Sequence, residues 1–278
     1  MEDREDYLTD VEADLLDRDE TTMEEFMAIR RMAQHSAGAP PHRTDWEIAR
    51  EDWRARTIWY MRMAGIPEHF CNKTWRDFRP MEGKGDALMK CRRWCHDSAD
   101  VSGLLFCGQV GTGKSFLASL CVRDSLLFGR IVNSSRHLHK WTDCHDSGAY
   151  DREGNIVAWD PGIRWVRVSS LLRQVRRECF DEQITTEEEQ IERLSHIPLL
   201  ILDDIGVRSL SDWGQDFLLT VCDERWLGSR MTIVTANRSL SGMASLLGER
   251  ICSRLAGMCR VIEVGGEDMR RGNDLSKM

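Results

Sequence analysis

The segment Gly108–Ser115, with the sequence GQVGTGKS, constrains the fold of this chain more than any other feature. It fits the pattern G-x-x-x-x-G-K-[ST], in which the glycines let the backbone N–H groups point inward toward an anion. An apolar run, Leu104–Cys107, precedes the loop, and an amphipathic helix follows from Lys114 to about Phe128, adding the positive end of its dipole. The sequence therefore predicts a phosphate-binding loop between a strand and a helix.

A pair of aspartates supplies the expected second half of this site. Leu199–Leu202 is apolar without alternation, which is typical of a strand buried on both faces, and Asp203 and Asp204 follow it directly. A carboxylate at this position can reach Mg²⁺ through water, so Asp203 and the Ser115 hydroxyl are predicted to hold the metal. Asp204 is predicted to act as general base toward the attacking water.

ATP and Mg²⁺ are thus the predicted cofactors. Lys114 is expected to reach the β- and γ-phosphates. The predicted nucleotide-binding set consists of Gly108, Gln109, Val110, Gly111, Thr112, Gly113, Lys114, Ser115 and Phe116.

Two further candidates lie downstream. Asn237 follows the apolar run Thr232–Thr235 and could bond the attacking water or the γ-phosphate, but a turn or helix-cap role fits it equally well. Arg250 and Arg254 lie four residues apart, on one side of a predicted helix. One could pair with an acid, and the other could act as an arginine finger toward a neighbouring subunit.

The order of apolar runs predicts the fold class. Five runs separated by helical segments indicate an α/β fold with a five-stranded parallel sheet covered on both faces. The predicted strands are Leu104–Cys107, Trp165–Val168, Leu199–Leu202, Thr232–Thr235 and Val261–Val264, with Ile131–Asn133 as a further candidate. Residues 134–162 are rich in polar residues and are predicted to form a surface insertion.

The N-terminal part differs from the rest of the chain in its predicted secondary structure and its charge. Capping boxes near Thr21 and Thr44 predict two helices, separated by a linker at residues 35–42. Residues 1–50 hold 14 acidic and 6 basic residues, whereas the remaining chain holds 32 of each. An acidic arm suits a protein partner and repels nucleic acid. We therefore expect a helical partner-binding region at 1–65 and an ATPase domain at 66–278.

Composition excludes several classes. With 41% hydrophobic and 30% charged residues and no apolar run long enough to span a bilayer, the chain is expected to be cytoplasmic, without membrane contact. Four of the ten cysteines, Cys107, Cys121, Cys222 and Cys252, lie among apolar residues and are expected to pack as small hydrophobic side chains rather than form disulfides.

Taken together, the motifs resemble a known family. GQVGTGKS, LLILDDIG, TIVTAN, GERICSRL and GGEDMRR occur in the order and spacing of AAA+ ATPases of the DnaC/IstB group. The segment Ala64–Phe78 resembles the one that leads into the ATPase domain of DnaC-type helicase loaders. The resemblance implies Walker A roles for Lys114 and Ser115 and Walker B roles for Asp203 and Asp204. It also implies that Asn237 is sensor 1, that Arg254 is the arginine finger, and that Arg270, or its neighbour Arg271, is sensor 2.

The resemblance also implies a function. Loaders of this type bind the hexameric replicative helicase through an N-terminal region and place it on single-stranded DNA in an ATP-dependent reaction, and they assemble into a ring or spiral. Only 14 residues follow Val264, so the C-terminal lid is expected to be abbreviated or absent. Hydrolysis is then expected to depend on assembly, and to be slow because Asp204 replaces the glutamate of many AAA+ proteins. The candidate single-strand contacts are cations and aromatic rings: Arg173, Arg176, Arg177, Phe180 and Trp213. A solvated helix face explains the arginines equally well, and a core position is the better interpretation of Trp213.

Three other interpretations fit part of the pattern. An IstB-type ATPase would assist a transposase on double-stranded DNA, and its Walker B motif commonly reads Asp-Asp, as here. A P-loop kinase of a small molecule would act as a monomer and have no use for Arg254. A protein that binds nucleotide without hydrolysing it would tolerate the short side chain of Asp204.

Overall fold

The computed structural model describes residues 57–78, 85–96, 103–127 and 162–269 of the chain. Within these ranges the backbone forms one five-stranded sheet in the order β2-β3-β4-β1-β5, and every strand pair is parallel. The strands are β1 (Gly103–Cys107), β2 (Ile163–Arg167), β3 (Leu199–Ile205), β4 (Met231–Ala236) and β5 (Cys259–Glu263). The predicted α/β fold with a five-stranded parallel sheet is confirmed.

Helices connect these strands. The helical elements are α1 (residues 57–63), α2 (Glu68–Cys71), a 3₁₀ turn (Trp75–Asp77), α3 (Gly85–His96), α4 (Lys114–Leu127), α5 (Val168–Arg176) with a π-helical end (Arg177–Asp181), α6 (Glu187–His196), α7 (Asp212–Leu227), α8 (Leu240–Leu247) and α9 (Glu249–Met258). Helix α7 begins where Ser211 accepts a hydrogen bond from the Gly214 backbone N–H, so a side-chain cap fixes its first turn.

The sheet separates two apolar cores. Along β1, Leu104 and Phe106 point into one core, and Leu105 and Cys107 point into the other, because successive strand side chains face opposite sides. The first core also holds Trp75 and the apolar face of α4, and α5 to α9 cover the second. Each buried aliphatic or aromatic side chain contributes roughly 1.5–3 kcal/mol relative to exposure. Both faces are therefore covered, as predicted.

The segment before the sheet is attached to the first core. Met61 and Ala64 are buried in it, and the Trp165 backbone N–H donates to the Ala64 carbonyl oxygen at 2.7 Å. Gly65 follows helix α1 with a φ of 81°, the left-handed conformation in which helices commonly end.

The strand boundaries differ from the prediction by one to three residues: β3, for example, continues through Asp203 and Asp204 to Ile205, and β2 and β5 are shifted toward the N-terminus. β2 begins at Ile163 and ends at Arg167, so Val168 opens a helix instead of closing the strand. β5 starts two residues earlier than expected, since Cys259 pairs with Gly103 of β1. Pairing with a neighbouring strand, which local composition does not reveal, set both boundaries. The candidate strand Ile131–Asn133, the first predicted N-terminal helix, the linker, the start of the second predicted helix and nearly all of the predicted insertion lie outside the described residues.

The cysteines pack as expected. Nine lie in the described part of the chain, all are unpaired thiols, and eight of them are buried, including Cys107, Cys121, Cys222 and Cys252. Burial raises the pKa of Cys107 to about 11 and that of Cys222 to about 12, so these thiols stay protonated. Over the same residues, no group of three or more Cys, His, Asp or Glu side chains could hold a metal ion, and no helix is long and apolar enough to cross a bilayer.

One buried cation links three elements on the second face. Arg225 of α7 is fully buried, and its guanidinium donates to the Thr232 hydroxyl of β4 and to the Leu194, Ser195, Ile197 and Met231 carbonyl oxygens. Burial lowers the pKa of Arg225 to about 9, which leaves it charged at neutral pH. Its charge lies at the carboxyl end of α6, where cations are favoured.

Arg225→Ala is expected to lower the free energy of unfolding by about 3 kcal/mol or more, because it leaves several carbonyl groups unsatisfied around a cavity. Urea denaturation followed by circular dichroism measures this. Arg193→Ala, which removes an exposed arginine of α6, is the control and should change the free energy by about 0.5 kcal/mol at most. Equal stability of the two variants would contradict the structural role of Arg225.

Candidate nucleotide-binding site

The carboxyl ends of three adjacent strands form one site. β1 leads into the glycine loop, β3 carries Asp203 and Asp204 near its carboxyl end, and β4 is followed by Asn237. Because β4 lies between β3 and β1, Ser115 and Asp203, which are 88 positions apart in the chain, meet at one edge of the sheet. In open parallel sheets this edge is where ligands bind.

The loop conformation requires glycine at two positions. Gly111 has a φ of 83° and Gly113 a φ of 97°, in the left-handed region that favours glycine. A Cβ atom on Gly111 would lie 1.9 Å from an Asp268 carboxylate oxygen, and one on Gly113 would lie 2.7 Å from the Met269 sulfur. The space that a side chain would fill is thus taken by the segment after β5.

Internal hydrogen bonds hold the loop closed. The Lys114 Nζ donates to the Gln109 carbonyl oxygen at 2.6 Å, and the Thr112 hydroxyl donates to the same oxygen at 2.9 Å. Lys114 is buried, whereas Gln109 and Val110 are exposed at the tip of the loop. The lysine ammonium therefore lies inside the loop, where an anion bound to the backbone N–H groups would meet it.

Phe116 packs beneath the loop. Its ring stacks on Phe70 with centroids 5.6 Å apart and meets Phe78 edge-on at the same distance. The side chain of this member of the predicted nucleotide-binding set thus supports α4 from below. A direct contribution of Phe116 to the nucleotide would have to come from its backbone.

Asp203 connects the loop helix to the neighbouring strands. Its Oδ1 atom accepts hydrogen bonds from the Ser115 hydroxyl at 2.8 Å and from the Thr235 hydroxyl at 2.7 Å. Asp203 is buried, and hydroxyl and carboxylate oxygens are the ligands that Mg²⁺ prefers. The two predicted metal-holding residues are therefore side by side, and their chemistry fits the ion.

Asp204 has an unusual backbone. Its φ is 63°, and the pairing of β3 with β4 shifts register between Leu202 and Ile205, so a β-bulge lies at the aspartate pair. Bulges turn side chains in a new direction, and a left-handed non-glycine residue costs of order 1–3 kcal/mol. Here the strain is offset in part because the Asp204 backbone N–H donates to the Thr235 hydroxyl at 2.9 Å.

Asn237 contacts the aspartate pair. Its Nδ2 donates to Asp204 Oδ1 at 2.7 Å, and Asp204 is half-buried. The residue expected to bond water or phosphate thus fixes the carboxylate that is predicted to be the base. Thr235, which the sequence reasoning did not single out, bonds both aspartates. The signal available for it was a hydroxyl two residues before Asn237 on an adjacent strand.

The candidate arginines differ from one another in their surroundings. Arg254 of α9 pairs through Nε with Asp223 of α7, and its guanidinium lies 4.4 Å from the centroid of the Trp226 ring. Arg250, one turn earlier, is exposed. Arg270 and Arg271 lie outside the described residues. The preceding residue, Met269, donates its backbone N–H to the Gly111 carbonyl oxygen at 2.9 Å.

The candidate single-strand contacts form an exposed surface on α5 and its π-helical end. Arg173, Arg176, Arg177 and Phe180 are all exposed. The Phe180 ring meets Trp213 edge-on with centroids 5.8 Å apart, although 33 positions separate them in the chain. Trp213 is half-buried, stacks on Phe217 at 5.6 Å and donates its Nε1–H to Glu187 at 2.8 Å. The structure thus brings the two predicted aromatic residues together.

The parallel sheet, the glycine loop and the acidic pair define a P-loop fold like that of AAA+ ATPases. Residues 156–276 match the family model described as IstB-like ATP binding protein. Together with the relatives below, this match confirms the DnaC/IstB resemblance predicted from the motifs.

The relatives come from both branches of that group. The chain is 25% identical to the replicative helicase loader DnaC of Escherichia coli (strain K12) over 194 residues, covering 69% of this chain and 66% of DnaC. It is 34% identical over 166 residues to a putative insertion sequence ATP-binding protein, y4pL, of Sinorhizobium fredii (strain NBRC 101917 / NGR234). That match covers 53% of this chain and 64% of y4pL. The chain thus spans slightly less than two thirds of either protein.

A solved structure shares the fold. The crystal structure of the DnaC helicase loader superimposes with a TM-score of 0.52 at 21% sequence identity, covering 72% of this chain and 100% of that one. At this identity the likeness shows the fold alone.

Asp204→Asn is expected to lower ATP hydrolysis by about a hundredfold or more while ATP binding is retained, because the amide cannot accept a proton. Single-turnover hydrolysis and fluorescent-nucleotide titration separate the two effects. Lys114→Ala is the companion variant and should weaken binding itself. Wild-type turnover by Asp204→Asn would show that another group is the base.

Proposed function

We propose that this protein is an ATP-dependent loader that places a replicative DNA helicase on single-stranded DNA. The observation that carries the proposal is the similarity to the helicase loader DnaC over 69% of the chain. The chain's own glycine loop and acidic pair support ATP as the nucleotide, and the exposed α5 surface supports a nucleic-acid contact.

The residues of the site divide the work of hydrolysis. The backbone of the loop and Lys114 would bind the phosphates, and Ser115 and Asp203 would hold Mg²⁺, whose charge would supply electrostatic stabilisation of the transferring phosphoryl group. Asp204 takes a proton from the water whose oxygen bonds to the γ-phosphorus, while the bond from that phosphorus to the leaving ADP oxygen breaks. Thr235 and Asn237 hold Asp204 in position for this step.

Assembly completes the site. Arg254 lies on α9, bonded to α7 rather than to the glycine loop of its own chain. We propose that it reaches the ATP of a neighbouring subunit in a ring or spiral and stabilises the charge that develops in the transition state. Hydrolysis should then rise more steeply than linearly with protein concentration, and slow turnover is expected from the short Asp204 side chain.

The α5 surface is proposed to hold the DNA. Arg173, Arg176 and Arg177 are exposed cations that can follow phosphates, and Phe180 is an exposed ring beside Trp213 on which a base can stack. The π-helical end of α5 carries Phe180, and π-helical turns are frequent at functional sites. Such a surface favours single strands without reading their sequence.

Residues 1–65, which hold the excess negative charge, are proposed to bind the helicase. Residues 66–278 then form the ATPase domain. Because an acidic segment repels the phosphate backbone, DNA is not expected to bind residues 1–65 in place of the helicase.

The alternative is an IstB-type ATPase that assists a transposase on double-stranded DNA. Two observations favour it: the family model that matches residues 156–276 is IstB-like, and y4pL has the higher identity, 34%. The loader is preferred because the DnaC match extends over a larger part of the chain, 69% against 53%.

Phe180→Ala is expected to weaken binding of a fluorescent single-stranded oligonucleotide about 5- to 30-fold, because base–ring stacking contributes roughly 1–2 kcal/mol here. The salt dependence of binding should not change. The double variant Arg176→Ala with Arg177→Ala should instead reduce the slope of log affinity against log salt by about one for each phosphate that is no longer neutralised. Ile184→Ala, which removes another exposed apolar side chain, is the control for Phe180.

One experiment distinguishes the helicase loader from the ATPase that assists a transposase. The whole chain is mixed with either a replicative helicase or a transposase from the same cell, and ATPase activity is measured with single-stranded and duplex DNA. Capture of the helicase through residues 1–65, with stimulation by single strands, is expected. Capture of the transposase with stimulation by duplex DNA would support the alternative, and activity independent of DNA and of protein concentration would contradict both.

A further inference from the structure

Two side chains of helix α7 contact Arg254. Its Nε–H donates to the Asp223 carboxylate, and the guanidinium carbon Cζ lies over the Trp226 ring, 4.4 Å from its centroid. The side chains of Arg254 and Asp223 are 37% and 30% exposed, so the pair lies at the surface without being fully solvated. Two side chains of α7 therefore restrain one side chain of α9.

The contacts with α7 leave the two Nη groups of Arg254 available to donate hydrogen bonds. Within the described residues, both Nη groups of Arg254 make no hydrogen bond, while Nε is occupied. A guanidinium presents its donors in a rigid plane, so fixing Nε and one face sets the direction of both Nη groups. Arg254 borders an open pocket of about 250 Å³ that is also lined by Leu219, Glu249, Arg250 and Ser253.

Helix α7, which carries Asp223 and Trp226, is itself held in place. Trp226 is 42% exposed, and its Nε1 lies beside Gly257 of α9, at an ordinary van der Waals distance of 3.7 Å from where a Cβ atom would stand. Arg225, adjacent to Trp226 in α7, is locked by its buried hydrogen bonds, so the helix that carries both restraining side chains has little freedom to move.

We infer that Asp223 and Trp226 are positioning residues that hold Arg254 ready for the ATP of a neighbouring subunit. This inference rests on the proposed trans role of Arg254. An unrestrained arginine loses rotamer entropy when it docks on a phosphate, and prior ordering removes that cost from the transition state. Asp223 and Trp226 touch neither nucleotide nor metal in this scheme, and they act through Arg254 alone.

The test measures kcat and KM for ATP on the full chain at a protein concentration that saturates assembly. Asp223→Ala and Trp226→Leu are each expected to lower kcat about tenfold, equivalent to about 1.4 kcal/mol, with KM unchanged. Asp223→Asn should retain part of the activity, since its amide oxygen still accepts the Nε–H. Glu224→Ala, which removes the next acid on α7, is the matched control and should leave kcat unchanged.

A mixing experiment identifies where the defect lies. Lys114→Ala protein has an impaired nucleotide site but an intact Arg254, so adding it in excess should restore hydrolysis by the Asp223→Ala protein several-fold toward the wild-type rate. A rise in KM for Asp223→Ala, or the absence of rescue, would place the defect in the variant's own site and overturn the inference.

The remaining outcomes separate the inference from the function on which it rests. Wild-type activity of Arg254→Ala would refute the trans role itself. If Arg254→Ala is inactive while Asp223→Ala and Trp226→Leu keep full activity, the trans role stands and the positioning inference fails. A faster Asp223→Ala protein would also overturn it, because the pair would then restrain the finger instead of presenting it.

Discussion

The hydrogen bond between the Ser115 hydroxyl and Asp203 Oδ1 joins the two halves of the site, and the other site contacts are arranged around it. It links the helix after β1 to the end of β3, across the strand that lies between them. Thr235 of that middle strand donates to the same oxygen. A strand order that separated β1 from β4, or β4 from β3, would break this contact, so the sheet topology is a condition of the chemistry.

Strain and burial are concentrated where the site needs fixed geometry. The bulge at Asp203 and Asp204 and the left-handed backbone of Asp204 are tolerated because Thr235 and Asn237 hold the pair from the next strand. On the opposite side of the site, Met269 bonds the glycine loop through its backbone. Asp204 is thus held by a neighbouring strand and the loop by the chain beyond β5, so neither depends on local sequence alone.

A similar principle operates at the proposed trans contact. Helix α7 starts shortly after the acidic pair and carries Arg225 in its interior face and Asp223 and Trp226 toward α9. One rigid helix therefore ties the sheet to the residue that is proposed to serve the next subunit. Buried hydrogen bonds of a charged group are expensive to break, which makes α7 a fixed support for surface residues.

The sequence alone determined the fold class, the strand–loop–helix unit around Lys114 and the acidic pair at the carboxyl end of a strand. It could do so because a glycine pattern of this kind and unbroken apolar runs are compatible with few local structures. It could not predict that Thr235 bonds both aspartates, that Phe180 meets Trp213, or that Asp223 and Trp226 enclose Arg254. Those pairs are 31 to 33 positions apart in the chain, or adjoin such a pair. Only strand order and helix packing bring them together, since contact between distant side chains is a property of the tertiary structure and leaves no local pattern.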